Sequence, residues 1–251
     1  MYFFYRDFKL YYKKYGNHKK NILILPGWGD TRKTFYYMIN FLKQFYTVYI
    51  VDYPGFGNSN FPPTHLTIYD YADLIREFII ENNLKNLTLI GHSFGGRIII
   101  LLAGYYKNIY DKVILIDSAG IKPKKTLKSY SKQIIYKFLK KLKIFIPKKK
   151  RKQYLNKILS IFGSTDYKSL NSIMRKTFTN IVNEDLSYYL KDIKNEVLIL
   201  WGNKDIDTPL KDGYKINKAI KDSSLIVLPG THYIYLENAY LVNSILYEYL
   251  K

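Results

Sequence analysis

The chain has 251 residues, 47% of them hydrophobic, and a formal net charge of +20. This length and hydrophobic content suffice for a sizeable core and exclude a disordered chain. The chain contains no cysteine, which excludes disulfides, thiolate metal sites and a cysteine nucleophile. No stretch approaches twenty uncharged apolar residues, so no transmembrane helix is predicted.

Short apolar runs alternate with helical patterns along the chain. Residues 1–12 are aromatic and interrupted by charges, which predicts a pair of strands rather than a signal peptide and favours a cytoplasmic protein. Buried strands are predicted at Asn21–Leu25, at Thr47–Asp52, from Leu87 onward, and at Lys112–Asp117, Glu196–Trp201 and Ser224–Leu228. Helices are predicted at about Ile68–Asn82, Gly96–Ala103 and Tyr240–Leu250. This alternation predicts an α/β fold with a doubly wound, mostly parallel sheet.

A long interruption separates the last two predicted strands from the others. Residues 120–191 lack strand signals and predict a helical cap inserted into a core made of residues 1–119 and 192–251. One side of the central piece is apolar and the other carries lysines, until Pro147 ends the helical pattern. Its apolar residues are Ile134, Ile135, Phe138, Leu139, Leu142, Phe145 and Ile146. We expect the cap to cover the carboxyl edge of the sheet, where α/β proteins bind ligands.

The run that begins at Leu87 ends in the pattern Gly-x-Ser-x-Gly, from Gly91 to Gly95. At a sharp strand-to-helix turn, glycines two positions before and after the serine relieve backbone crowding. Ser93 would then lie at the start of the next helix with its hydroxyl exposed. The pattern therefore predicts a nucleophilic serine.

A serine hydroxyl needs a base, and the base needs an acid that orients it. Of the four histidines, His232 follows the last predicted strand, where a base should arrive. Asp205 and Asp207 follow the preceding strand, and Asp117 also ends a strand and stays open as the acid. A helix-capping role is the alternative for Asp207. We interpret His92 as a packed structural residue.

Several motifs together resemble the α/β-hydrolase superfamily over nearly the whole chain. They are the order Ser93, Asp205, His232 and the segments Pro26–Gly29, Asp52–Ser59 and Trp201–Pro209. The resemblance implies that Asp205 is the triad acid and that the backbone N–H groups of Trp28 and Phe94 form the oxyanion hole. It implies no metal and no cofactor. Within the superfamily the chain resembles capped serine esterases, including the pimeloyl-carrier methyl ester esterases, in its Pro-Gly-Trp-Gly loop.

The predicted cap is strongly basic, and its charge alone does not identify a binding partner. Between Ser118 and Thr165 the sequence has fifteen Lys and Arg residues and no Asp or Glu. A solvated lysine face, an anionic membrane surface and an acidic acyl-carrier protein are the alternatives. No recognition motif accompanies the charge, so nucleic acid is not predicted.

Together these features predict a serine hydrolase that cleaves a carboxylic ester of a small or acyl-chain substrate through an acyl-enzyme. Thioester, amide and carbon–carbon bond hydrolysis stay open. The alternatives are a membrane-associated lipase or lysophospholipase, and a catalytically silent binding protein with the same fold.

Overall fold

The computed structural model describes residues 1–106, 109–122, 138–139, 141–147, 149–151, 153–154, 157, 167 and 169–251. Its centre is an eight-stranded sheet in the order β1-β2-β4-β3-β5-β6-β7-β8. The strands are β1 Tyr2–Tyr5, β2 Phe8–Tyr15, β3 Asn21–Leu25, β4 Thr47–Asp52, β5 Leu87–His92, β6 Lys112–Ile116, β7 Val197–Gly202 and β8 Ser223–Leu228. Strand β2 pairs antiparallel with β1 and β4, and the other pairings are parallel. The predicted α/β fold with a mostly parallel sheet is confirmed.

Helices cover both faces of this sheet. They are α1 Tyr36–Leu42, α2 Ile68–Glu81, α3 Phe94–Leu101, α4 Ser172–Asn183, α5 Leu210–Ala219, α6 Ile234–Glu237 and α7 Ala239–Leu250. Helix α3 continues as a π-helix over Leu102–Tyr106, and 3₁₀ helices span Leu142–Phe145 and Ser187–Asp192. None of these helices is long and apolar enough to cross a membrane; the cytoplasmic location stays a prediction.

The core lies in two layers because successive strand residues face opposite sides of the sheet. Leu23 and Leu89 pack with α2 and α3 on one face, whereas Ile22 and Ile90 pack with α1 and α7 on the other. Strand β5 is buried along its whole length, and its carboxyl end therefore emerges at a rigid, central position of the sheet.

The predicted boundaries agree with the structure where local signals are strong. Helix α2 begins after Thr67, whose side chain forms a capping box with Asp70, and ends near the predicted residue. Helices α1 and α6 were not predicted. Of the seven apolar residues expected along the central cap helix, Ile134 and Ile135 lie outside the described residues. Of the other five, Leu142 and Phe145 bound a 3₁₀ helix and Phe138 is exposed. One continuous cap helix therefore stays a prediction.

Candidate active site

Ser93 occupies the sharp turn between β5 and α3. Its backbone has φ 49° and ψ −109°, a conformation that costs energy for a residue other than glycine. Three backbone hydrogen bonds hold the turn. The N–H of Ser93 donates to the Ile116 carbonyl at 3.1 Å, and the carbonyl of Ser93 accepts from the N–H groups of Gly96 and Ala119 at 3.0 Å each. The strand, turn and helix that the Gly-x-Ser-x-Gly pattern predicts are therefore present.

The two glycines of the pattern permit close backbone contacts. A Cβ atom at Gly91 would lie 2.8 Å from the backbone carbon of Gly95. A Cβ atom at Gly95 would lie only 1.9 Å from the carbonyl oxygen of Leu25, at the end of β3. The first turn of α3 can therefore approach the loop that carries Trp28.

His232 and Asp205 form a buried pair on loops that follow β8 and β7. The Nδ1 atom of His232 lies 2.8 Å from Oδ2 of Asp205. The other oxygen of Asp205, Oδ1, accepts hydrogen bonds from the N–H groups of Asp207 at 2.8 Å and Thr208 at 2.9 Å. The Thr208 hydroxyl donates to Oδ2 at 2.6 Å. The carboxylate of Asp205 is thus locked in one orientation with Oδ2 toward the imidazole.

This pairing shifts the pKa values of both groups. Burial alone would raise the pKa of Asp205, but hydrogen bonds from His232 and Thr208 outweigh it and the pKa is lowered. Burial alone would lower the pKa of His232, but the hydrogen bond to Asp205 and its charge raise it above the ordinary value. An imidazole paired in this way is suited to accept a proton at Nε2.

The two other carboxylates considered as the acid are placed differently. Asp117 follows β6 and is fully buried, and its Oδ1 accepts a hydrogen bond from Gly202 N–H at 2.8 Å. Its Oδ2 has no hydrogen-bond partner among the described residues, and burial raises its pKa to about 8. Asp207 is exposed. The interpretation of Asp207 as a helix cap is wrong, because α5 has Pro209 at its N-cap and no side-chain cap.

His92, beside the serine, is packed as expected and has a contact that the sequence did not predict. Its side chain is buried, and its Nε2 lies 2.8 Å from the carbonyl oxygen of His232. A carbonyl oxygen can only accept, so Nε2 donates. The Nδ1 atom lies 3.2 Å from Oδ2 of Asp30, and burial lowers the pKa of His92. His92 therefore connects the serine turn to the loop of His232.

Ser93 and His232 both line a cavity of about 940 Å³. Trp28 and Phe94 line the same cavity, and their rings pack edge to face with centroids 5.3 Å apart. Among the described residues, no protein acceptor is hydrogen-bonded to the backbone N–H of Trp28 or Phe94.

One group of side chains in the described part of the chain has the composition of a metal site. Ligand atoms of Asp205, Asp207 and His232 lie within 4.8 Å of one another. The facing atoms of Asp205 and His232 are already joined by their hydrogen bond, so a metal at this position would have to break that pair.

A sequence profile of the alpha/beta hydrolase fold matches residues 20–239. The chain belongs to the alpha/beta hydrolase fold family. A pimeloyl-acyl-carrier protein methyl ester esterase from Wigglesworthia glossinidia brevipalpis is 27% identical over 263 residues, covering 94% of this chain and 95% of that protein. A serine hydrolase-like protein from Danio rerio is 23% identical and covers 94% of this chain and 82% of its own length. The crystal structure of the enol-lactonase from Burkholderia xenovorans LB400 superposes with a TM-score of 0.77 at 18% identity and covers 100% of this chain and 99% of that one.

As an alpha/beta hydrolase fold protein with esterases and hydrolases among its relatives, the chain is a hydrolase. Three residues at the site were not predicted from the sequence: Asp30, Thr208 and Arg97. Thr208 lies within the Trp201–Pro209 segment and Arg97 directly follows the Gly-Gly pair, but neither residue type marks a site by itself.

Proposed function

We propose that the protein is a serine hydrolase that cleaves carboxylic esters, with Ser93 as nucleophile, His232 as base and Asp205 as the acid that orients His232. The observation that carries the proposal is the His232–Asp205 pair at 2.8 Å on the cavity that Ser93 also lines. The order of the three residues in the chain is that of alpha/beta hydrolases.

The proposed reaction has two halves. The Ser93 oxygen attacks the ester carbonyl carbon while Nε2 of His232 takes the hydroxyl proton, and the bond to the alcohol then breaks as His232 protonates it. Water attacks the resulting acyl-enzyme, gives its proton to His232, and releases the acid as Ser93 regains a proton. Asp205 stabilises the imidazolium in both halves.

The oxyanion formed in each half requires fixed donors. The backbone N–H groups of Trp28 and Phe94 are proposed for this role because both line the cavity beside Ser93. A preorganised donor of this type contributes about 3 kcal/mol to stabilisation of the transition state.

We also propose that residues 120–191 form a cap over this site, on a core of residues 1–119 and 192–251. Support comes from α4, which lies within the proposed cap and contributes Phe178, Ile181 and Val182 to the cavity wall. The chain length of the ester would then depend on how the cap packs.

The test is hydrolysis of p-nitrophenyl esters of increasing acyl length by the wild type, Ser93→Ala and Ser118→Ala. Ser118 is a buried serine that lines the same cavity and serves as the matched control. We expect Ser93→Ala to lose hydrolysis at every chain length while Ser118→Ala retains it. Hydrolysis by Ser93→Ala at the wild-type rate would exclude the mechanism.

A carrier-linked acyl ester is a second candidate substrate. The Wigglesworthia relative is named for such a substrate, and Lys149 and Lys150 of the basic segment are exposed. Capture of an acidic acyl-carrier protein by the wild type should weaken when Lys148, Lys149, Lys150, Arg151 and Lys152 are neutralised. Unchanged capture would exclude electrostatic recruitment, and salt-sensitive binding to anionic vesicles instead would favour the membrane-associated lipase.

A further inference from the structure

Arg97 lies on α3, four residues after Ser93, and lines the same cavity. A substrate bound in this cavity with its ester at Ser93 therefore shares the cavity with the Arg97 side chain.

The guanidinium of Arg97 is buried, and no described carboxylate is in direct contact with it. The residue is only 4% exposed, and its one protein hydrogen bond among the described residues runs from Nη1 to the carbonyl oxygen of Glu184 at 2.9 Å. It forms no ion pair with any described carboxylate. Burial lowers the pKa of Arg97 to about 10, so the side chain stays charged at neutral pH. A guanidinium has five N–H donors, and most of them are left for other acceptors.

The two acidic residues whose charges act on Arg97, Glu184 and Asp185, form their hydrogen bonds with other groups. Glu184 accepts a hydrogen bond from the Tyr69 hydroxyl at 3.2 Å, and Asp185 accepts one from Ser187 N–H at 3.2 Å. Of the residues outside the described ranges, Asp166 alone is acidic. The charges of Asp185 and Glu184 still favour the charged form of Arg97, but neither carboxylate is in direct contact with the guanidinium. A buried charge is costly unless it is paired, so a carboxylate bound directly to Arg97 would stabilise it further.

The charges that line the cavity are balanced: Arg97, Lys211 and Lys215 stand against Asp30, Asp207 and Asp212. Three carboxylates line it, and two of these already have partners: Asp30 lies beside His92, and Asp212 pairs with Lys215. Lys211 is an exposed cation on the same wall. With a net charge of +20, the protein attracts anionic substrates from solution.

We propose that Arg97 is a specificity-determining residue that binds a free carboxylate of the substrate, so that the preferred substrates are esters that carry a carboxylate, such as hemi-esters of dicarboxylic acids. A planar guanidinium binds a carboxylate through two parallel hydrogen bonds, which gives both affinity and orientation. This inference rests on the proposed function, because Ser93 must be the nucleophile for Arg97 to orient the ester.

The test compares the monomethyl esters of succinate, glutarate and adipate with methyl butyrate, pentanoate and hexanoate, with proton release as the measurement. The wild type should prefer at least one hemi-ester to the neutral ester of equal acyl length by tenfold or more in kcat/KM. Arg97→Met should lower that ratio by about 10- to 100-fold, the range expected for charge-assisted hydrogen bonds to one buried cation. The ratio for Arg97→Lys should fall between those of the wild type and Arg97→Met, because lysine keeps the positive charge but cannot donate two parallel hydrogen bonds to a carboxylate.

Arg76→Met is the matched control. Arg76 lies on α2, pairs with Glu77 and does not line the cavity, so its replacement should leave the ratio unchanged. Equal use of charged and neutral esters by the wild type would overturn the inference, as would an Arg97→Met variant that loses both activities in the same proportion. The second result would identify Arg97 as a structural clamp on the Glu184 carbonyl.

A binding measurement separates this inference from the proposed mechanism. Free glutarate should bind to wild type and to Ser93→Ala with similar affinity in calorimetry, and at least tenfold more weakly to Arg97→Met. Glutarate binding that depends on Arg97 without any ester hydrolysis would refute the proposed function and support the anion site. Hydrolysis without such binding or preference would refute the anion site alone.

Discussion

Replacing Asp205 with asparagine tests the proposed acid with almost no change in shape. Oδ1 of Asp205 accepts from the N–H groups of Asp207 and Thr208. The asparagine oxygen must keep those two bonds, because the opposite orientation would set its NH₂ group against two N–H donors. The NH₂ group then replaces Oδ2, 2.8 Å from Nδ1 of His232.

Two donors cannot face each other at that distance, so His232 must turn its unprotonated Nδ1 toward residue 205. Its proton then lies on Nε2, which can no longer accept the proton of Ser93. In serine proteases the equivalent change lowers kcat by about 10⁴-fold. We expect a loss of about 10³- to 10⁴-fold in kcat for Asp205→Asn on p-nitrophenyl butyrate, measured against Ser93→Ala as the floor.

Two further variants complete the experiment. Asp207→Asn should keep kcat within about threefold, because the Asp207 contact with Asp205 uses its backbone N–H. Asp117→Asn should also retain activity. A loss of less than tenfold in Asp205→Asn would refute the assignment, and a large loss in Asp117→Asn instead would identify Asp117 as the acid.

Three more predictions concern pH, backbone packing and stability. Because the pKa of His232 is raised above 6.5 and the neutral imidazole is the active form, kcat/KM should rise with pH through an inflection above 6.5; an inflection below that value would contradict the pairing. Gly95→Ala should lower kcat by about 100-fold or more, since relief of the 1.9 Å contact with the Leu25 carbonyl moves α3 away from the Trp28 loop by about 1 Å; unchanged kcat in a folded variant would refute this. Burial raises the pKa of Asp117 from 3.8 to about 8 in the folded state. Between these two pH values the folded protein keeps the Asp117 proton and the unfolded chain has lost it, so the free energy of unfolding falls as pH rises toward 8. Denaturation should show Asp117→Asn gaining more than about 1 kcal/mol over wild type between pH 5 and pH 9, and a pH-independent difference would contradict this.

The sequence predicts those parts of the fold and site that depend on local pattern. Strands β3 and β4 have the predicted bounds, because continuous apolar runs ended by turn residues leave little choice of boundary. The serine turn is equally local. Helix α1 carried no signal, since it is short and its N-cap, Phe35, makes no side-chain capping bond.

Contacts between distant parts of the chain could not be predicted. His92 and His232 are 140 residues apart, and no local pattern indicates that the imidazole of one reaches the carbonyl of the other. The burial of Arg97 depends on the loop at Glu184, 87 residues away. The apolar periodicity predicts that Arg97 lies on a helix, but it does not predict which distant segment buries the side chain.

The central claim is that Ser93 is an activated nucleophile, and covalent labelling tests it most directly. The folded wild type and Ser93→Ala would be treated with a fluorophosphonate and analysed by intact mass and peptide mapping. We expect one adduct per wild-type chain, located on Ser93, and none on the variant. An unlabelled wild type, or an adduct of equal yield on Ser93→Ala, would contradict it.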